Sequence, residues 1–281
     1  MTTPFVLPAS TTWSVPSGTD QPGLRVSLAL PTGRIDGEVP VVLLLDGDFL
    51  FLTAVEYART LQLVTVGEFP ALAVVGVMRD EPDPVRYIAS RFRDFTPQQW
   101  VLPGPFADDN GMASMGTGGA TDFLRLVESG VLARVGEHLA AAGGRMGPIT
   151  IGGWSLSGLF ATWAWLEQPT TYSHLLSISP SLWWNDASTL DAQIMKRPSG
   201  QRVFVAAGEH EEGDLSKVYP QRFAHAAQRD KAAMVRNAVR FGELAEEAGA
   251  MVDRVVFSDE HHITVQAAAL ARGLKHIHGG V

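Results

Sequence analysis

At 281 residues, with 46 % hydrophobic and only 19 % charged side chains, the chain has the material for one large hydrophobic core. Its 22 Lys and Arg against 30 Asp and Glu leave a net charge of −8 and no basic cluster to track phosphates, which argues against nucleic acid as a partner. With no cysteine, disulfides, thiolate nucleophiles and thiolate metal sites are excluded together, leaving serine, histidine and carboxylates as the catalytic menu.

In chain order, Met1 to Ser17 holds Pro4, Pro8 and Pro16 but no basic residue, unlike a signal peptide. The apolar runs fall far short of the ~20 residues that span a bilayer. A cytoplasmic protein with no membrane partner is expected. Turn signals at Gly18, Pro22-Gly23 and Pro31-Thr32-Gly33 frame strand-like pieces with no helix between them, predicting an antiparallel edge meander. Short apolar runs read as strands at Leu24-Leu30, Val41-Leu45, Leu72-Val77, Ile149-Gly152, Leu175-Ile178, Val203-Ala207 and Arg254-Phe257. Most are apolar throughout, as in parallel strands covered on both faces. Helical patterns run over Leu50 to Val66, Ala120 to Ala142, Leu156 to Leu166, Lys217 to Ala248 and Val265 to Ile277. The alternation predicts a single α/β domain over 1–281, with a mostly parallel sheet, an antiparallel N-terminal edge and helices on both faces. Between Arg79 and Gly119 five prolines and several glycines obscure any period, predicting a long irregular loop or lid. Arg91, Phe92, Arg93, Phe95, Trp100 and Phe106 make it a candidate substrate lining.

The sharpest chemical signal is Ile149-Thr-Ile-Gly-Gly-Trp-Ser-Leu-Ser-Gly-Leu-Phe160, an apolar strand, a Gly-rich turn around Ser155 and then a helix. This is the layout of a nucleophile elbow, in which small neighbours let strand and helix backbones approach closely. Gly153 fills the first small position, and Ser157 stands at the second, where glycine is usual. In this fold an acid and then a histidine follow the serine in chain order. The strand at Val203 to Ala207 ends in Gly208-Glu-His-Glu211, and that at Arg254 to Phe257 ends in Ser258-Asp-Glu-His-His262, both at the edge where α/β active sites assemble. His210, His261 and His262 match no zinc spacing, so no metal and no other cofactor is expected. The turn Asp46-Gly-Asp48 is the place for a second oxyanion donor, the N–H of Asp48 pairing with that of Leu156.

These segments resemble the putative-esterase group of α/β-hydrolases, which includes enterobactin-type siderophore esterases, feruloyl esterase-like and esterase D-like proteins. Besides the elbow, the resemblance runs through Leu44-Leu-Asp-Gly-Asp48, Arg91-Phe-Arg-Asp-Phe-Thr-Pro97, Gly118-Gly-Ala120, Ser179-Pro-Ser-Leu-Trp-Trp184, Gly208-Glu-His-Glu211 and His262-Ile-Thr-Val265. It implies a serine hydrolase cleaving carboxylic esters, of siderophore or aromatic type, through an acyl-enzyme on Ser155. An acyltransferase on the same fold and a non-catalytic binding protein are the alternatives. It places the base at His262 rather than His261 and the acid at Glu211, with Glu209 second and a Ser-His dyad, as in some siderophore esterases, as a third arrangement. Arg91 and Arg93 are then expected either to hold an anionic or catechol-rich substrate or to form structural ion pairs that anchor the long loop, and Trp154, Trp183 and Trp184 to wall the pocket, with core packing of Trp183 or Trp184 as the alternative. The expected partner is a small-molecule ester.

Overall fold

The computed structural model describes residues 6–18, 21–101, 116–191, 200–212 and 233–279. The strands are β1 (Ser10–Val15), β2 (Leu24–Ala29), β3 (Gly37–Leu45), β4 (Ala73–Arg79), β5 (Gly144–Trp154), β6 (His174–Ile178), β7 (Arg202–Gly208) and β8 (Met251–Phe257). They form one sheet in the order β1-β2-β4-β3-β5-β6-β7-β8. β1 pairs antiparallel with β2, and β2 antiparallel with β4, at one edge; the remaining pairings, β4-β3-β5-β6-β7-β8, are parallel. The N-terminal meander and the parallel body are thus as the turn residues and the unbroken apolar runs predict.

Helices cover both faces, and each face has its own core. On one side α1 (Gly47–Val64) and the last helix, α6 (Val265–His278), bury Leu50, Phe51, Ala54, Val265, Leu270 and Leu274 against Val42, Leu44, Leu176 and Phe204. On the other lie α3 (120–141), α4 (Leu156–Glu167) and α5 (Met234–Glu247), packed on Val41, Leu43, Ile151, Leu175 and Val205. The α3 helix joins the α-helical pieces Ala120–Leu126 and Ala133–Ala141 through a π-helical turn at Val127–Leu132. Alternate residues of one strand feed alternate faces, which is why a run such as Val41-Val-Leu-Leu-Leu45 is apolar at every position.

The segment after β4 corrects the sequence reading. Residues Pro84–Asp94 form a helix, α2, within the stretch expected to be irregular. Asp83 caps it by accepting the Arg86 N–H at 2.9 Å, and Pro84 stands in its first turn, where the missing N–H costs nothing. The rest of that stretch is tied at both ends: Gly119 N–H donates to the Arg93 carbonyl (2.8 Å), and Gly118 N–H to the Thr96 hydroxyl (2.7 Å). Phe106 lies outside the described residues, as does the first part of the helix predicted from Lys217.

Candidate active site

β5 ends at Trp154 and α4 begins at Leu156, so Ser155 alone turns the chain, with φ 62° and ψ −121°. A non-glycine residue held there stores on the order of 1–3 kcal/mol of backbone strain. The surroundings enforce it. A Cβ at Gly153 would lie 2.3 Å from the Ser157 carbonyl oxygen, and one at Gly158 would meet the Ile178 carbonyl and the Pro180 backbone at 3.1 Å. Ser157 fills the second small position of the elbow without disturbing it. Its buried hydroxyl accepts the Trp154 N–H (2.9 Å) and donates to the Trp154 carbonyl (2.8 Å), satisfying itself on the turn.

At the end of β7, Glu209–Glu211 makes a single 3₁₀ turn. That turn sends Glu211 inward and Glu209 outward. Glu211 is 2 % exposed, and its Oε1 accepts the Gly208 N–H at 2.6 Å and the Ser179 hydroxyl at 2.5 Å. Its Oε2 lies 2.6 Å from His262 Nδ1. Burial pushes the carboxyl upward, but the hydrogen bond and charge of His262 and the donors Ser179 and Gly208 outweigh it, leaving Glu211 below the usual carboxylate range. Glu209 instead accepts the Asp259 N–H (3.0 Å) and the Ser258 hydroxyl (2.9 Å) at the end of β8, which lowers its own value.

After β8, His262 presents Nε2 to Ser155 Oγ at 3.0 Å. The neighbouring His261 points elsewhere, its Nδ1 accepting the Ile263 N–H at 3.2 Å, and His210 faces Asp259. Trp154 braces the imidazole. The indole Nε1 donates to the His262 carbonyl at 2.8 Å, and the two rings stand 4.7 Å apart between centroids. An acceptor carboxylate, a two-sided imidazole and a serine hydroxyl in this sequence can pass a proton off the hydroxyl while the acid holds the tautomer.

Beside the elbow, β3 lies next to β5, with Leu44 in register with Gly152, so the Asp46-Gly-Asp48 turn and the Ser155 turn sit at neighbouring strand ends. The N–H groups of Asp48 and Leu156 belong to the first turns of α1 and α4, where backbone donors have no intrahelical acceptor. A Cβ at Gly47 would come within 2.7 Å of the Gly76 backbone, so only glycine lets the turn lie this close to β4. The Asp48 carboxylate pairs with Arg25 at 2.6 Å, at the surface.

Arg91 does not face open solvent. Its guanidinium forks onto the buried Asp46 carboxylate at 2.9 and 2.7 Å, and Tyr87 donates to the same carboxylate at 2.8 Å. Burial lowers the Arg91 value, but Asp46 more than restores it, and the net shift is upward. The Arg91 head also lies over the Trp154 ring, 5.8 Å from its centroid. Arg93 is engaged by Asp94 (2.8 Å) and Gln21. Trp184 is enclosed between Phe92 and Trp100 in the core, whereas Trp183 is half-buried against both Trp100 and Trp184. The sequence reading gave Ser179 and Tyr87 no role and marked Asp46 only as part of the turn after β3; the Ser-Pro-Ser and Asp-Gly-Asp segments marked two of those places, but nothing local revealed the contacts.

The strand order and the elbow at the carboxyl edge of the sheet define an α/β-hydrolase fold. Residues 21–244 match the family described as "Putative esterase", and the chain belongs to that family of ester hydrolases. Among curated proteins it is 28 % identical over 244 residues to the ferri-bacillibactin esterase BesA of Bacillus subtilis (strain 168), covering 84 % of this chain and 78 % of that one. It is 26 % identical to the siderophore triacetylfusarinine C esterase of Aspergillus fumigatus, over 97 % of this chain and 94 % of that one. Among solved structures, siderophore hydrolase EstA from Aspergillus nidulans superposes with a TM-score of 0.75 at 21 % identity, over 98 % and 97 % of the two chains. No helix among the described residues is long and apolar enough to cross a membrane.

Proposed function

We propose that the chain hydrolyses the ester bonds of a siderophore-type substrate through an acyl-enzyme on Ser155. The observation that carries this is the unbroken chain of contacts from Ser155 Oγ to His262 (3.0 Å) and from His262 to Glu211 (2.6 Å). His262 Nε2 takes the hydroxyl proton as Ser155 Oγ attacks the ester carbonyl carbon. The oxyanion is received by the N–H groups of Leu156 and Asp48. The imidazolium then protonates the leaving alcohol oxygen as the C–O bond breaks, leaving Ser155 acylated. In the second half His262 deprotonates a water that attacks the acyl carbon, and returns the proton to Ser155, releasing the carboxylic acid. Glu211 holds the Nδ1 proton and offsets the imidazolium charge throughout.

The siderophore assignment draws on the relatives named above and on the aromatic surroundings of the serine. Phe49, half-exposed, meets the edges of Trp154 and Tyr87 at centroid distances of 6.0 and 6.4 Å, a shelf suited to a flat acyl group. The test is turnover of a macrocyclic siderophore lactone and of a simple aryl ester by wild type and Ser155→Ala, with product analysis in the presence of a competing alcohol. Hydrolysis of the lactone that disappears in the variant supports the reading. Aryl-ester cleavage alone rejects the siderophore substrate, and acyl transfer to the alcohol in preference to water rejects hydrolysis.

A further inference from the structure

Ser179 follows β6 directly, is fully buried and has φ 42°, an unfavourable backbone for a residue with a side chain. Its N–H donates to the Ala206 carbonyl at 2.7 Å, anchoring it to β7. Its hydroxyl donates to Glu211 Oε1 at 2.5 Å, a charge-assisted contact on the oxygen that does not face His262. The same short turn grips the nucleophile from the other side. Ser155 N–H donates to the Ile178 carbonyl (3.0 Å), and Ser181 N–H to the Ser155 carbonyl (3.0 Å). Pro180 lies between these anchors with its φ fixed by its ring, and Gly158 leaves room for its backbone.

We propose that Ser179 is a positioning residue for ester hydrolysis: its hydroxyl sets the Glu211 carboxylate toward His262, and the Ile178-to-Ser181 turn that carries it fixes the spacing of acid and nucleophile. This rests on Ser155, His262 and Glu211 acting as proposed above. The left-handed backbone at position 179 is the conformation that aims the hydroxyl across to β7. The other ionisable groups around the acid are engaged elsewhere: Glu209 with Ser258 and the Asp259 N–H, His210 with Asp259, and Glu212 with Arg236.

The experiment compares kcat/KM against pH for wild type, Ser179→Gly, Glu211→Gln and the double variant, with thermal melting of each. Glycine accepts the positive φ, so Ser179→Gly removes the hydroxyl while leaving the turn unstrained. A hydrogen bond to a charged group is worth enough that kcat should fall about tenfold to a hundredfold with KM little changed. The acidic limb should move to higher pH, because a carboxylate that has lost a donor holds the imidazolium more strongly. On the Glu211→Gln background the same substitution should add no more than about a twofold loss, since both act through one group. An active Ser179→Gly beside an inactive Glu211→Gln overturns the role of Ser179 and leaves the triad standing; full activity in both overturns the two together. Additive losses with an unmoved acidic limb would make Ser179 a purely structural residue and also overturn the proposal.

Discussion

Two histidine clusters lie at opposite ends of the same sheet, and they differ in what faces the ring. At the carboxyl ends of the strands His262 has a buried carboxylate on Nδ1 and a serine hydroxyl on Nε2. At the amino ends His174, which opens β6, and His278, which closes α6, meet no acid among the described residues: His174 Nδ1 accepts the Arg202 N–H at 3.0 Å, and His278 Nε2 meets the Thr150 hydroxyl at 3.1 Å. Burial, then the nearby Arg202 charge and His276, lower His174 to about 4; burial, then His174 and Arg202, lower His278 to about 3. The Arg202 guanidinium itself is fixed on the His276 and Gly279 carbonyls at the end of α6. His262 therefore sits between a carboxylate and a hydroxyl, whereas His174 and His278 are buried in surroundings that favour the neutral ring. What decides is the partner: a carboxylate stabilises the imidazolium, whereas burial beside an arginine opposes it.

Exchanging or removing these partners breaks the comparison in measurable ways. The largest effect is expected at His262→Ala, with kcat falling by about 10⁴ or more, while His261→Ala, one residue away, stays near wild type in the same assay. The reverse ranking would move the base by one position. Next is Asp46→Ala, which leaves the Arg91 guanidinium without its counter-ion in a site where its side chain is only 13 % exposed. Loss of about 3 kcal/mol in urea unfolding is expected, with weaker turnover because the Asp46-Gly-Asp48 turn loosens. Retained stability would return Arg91 to the role of a free substrate ligand. The smallest effect concerns acid stability. His174 and His278 have folded values below their unfolded one, so the unfolded chain binds more protons between about pH 6.5 and 4, and stability falls as pH is lowered through that window. Glu211, also lowered, adds a loss only at still lower pH, as the folded carboxylate is protonated. His278→Gln should flatten the pH 6.5 to 4 slope by up to about 1.4 kcal/mol per pH unit in melting experiments while leaving kcat unchanged. An unaltered slope would mean that His278 is not held neutral.

The two ends were also unequally legible in the sequence. The elbow turn and the candidate residues Ser155, Glu211 and His262 were readable because each follows an apolar strand and the turn chemistry is local. The preference for Glu211 over Glu209 came from the resemblance alone; that Glu211 turns inward and Glu209 outward is set by the 3₁₀ turn after β7 and is not legible locally. Helix α2 was missed because Pro82 and Pro84 resemble helix breakers, although Asp83-Pro84 is a start signal once the cap is recognised. An ion pair at Arg91 was one of the two readings its sequence allowed, but its partner was not legible because Asp46 stands 45 residues earlier. Ser179 and His278 could not be placed from their neighbours at all: their contacts cross from one strand or helix to another, and only the assembled sheet brings them together.

The most direct test of the central claim, that Ser155 is activated by His262, is labelling of the folded protein with a fluorophosphonate followed by mapping of the modified peptide. Modification at Ser155 in wild type, its disappearance in Ser155→Ala and a strong slowing in His262→Ala are the predicted results. Labelling of another residue, or equal labelling rates with and without the His262 side chain, would contradict it.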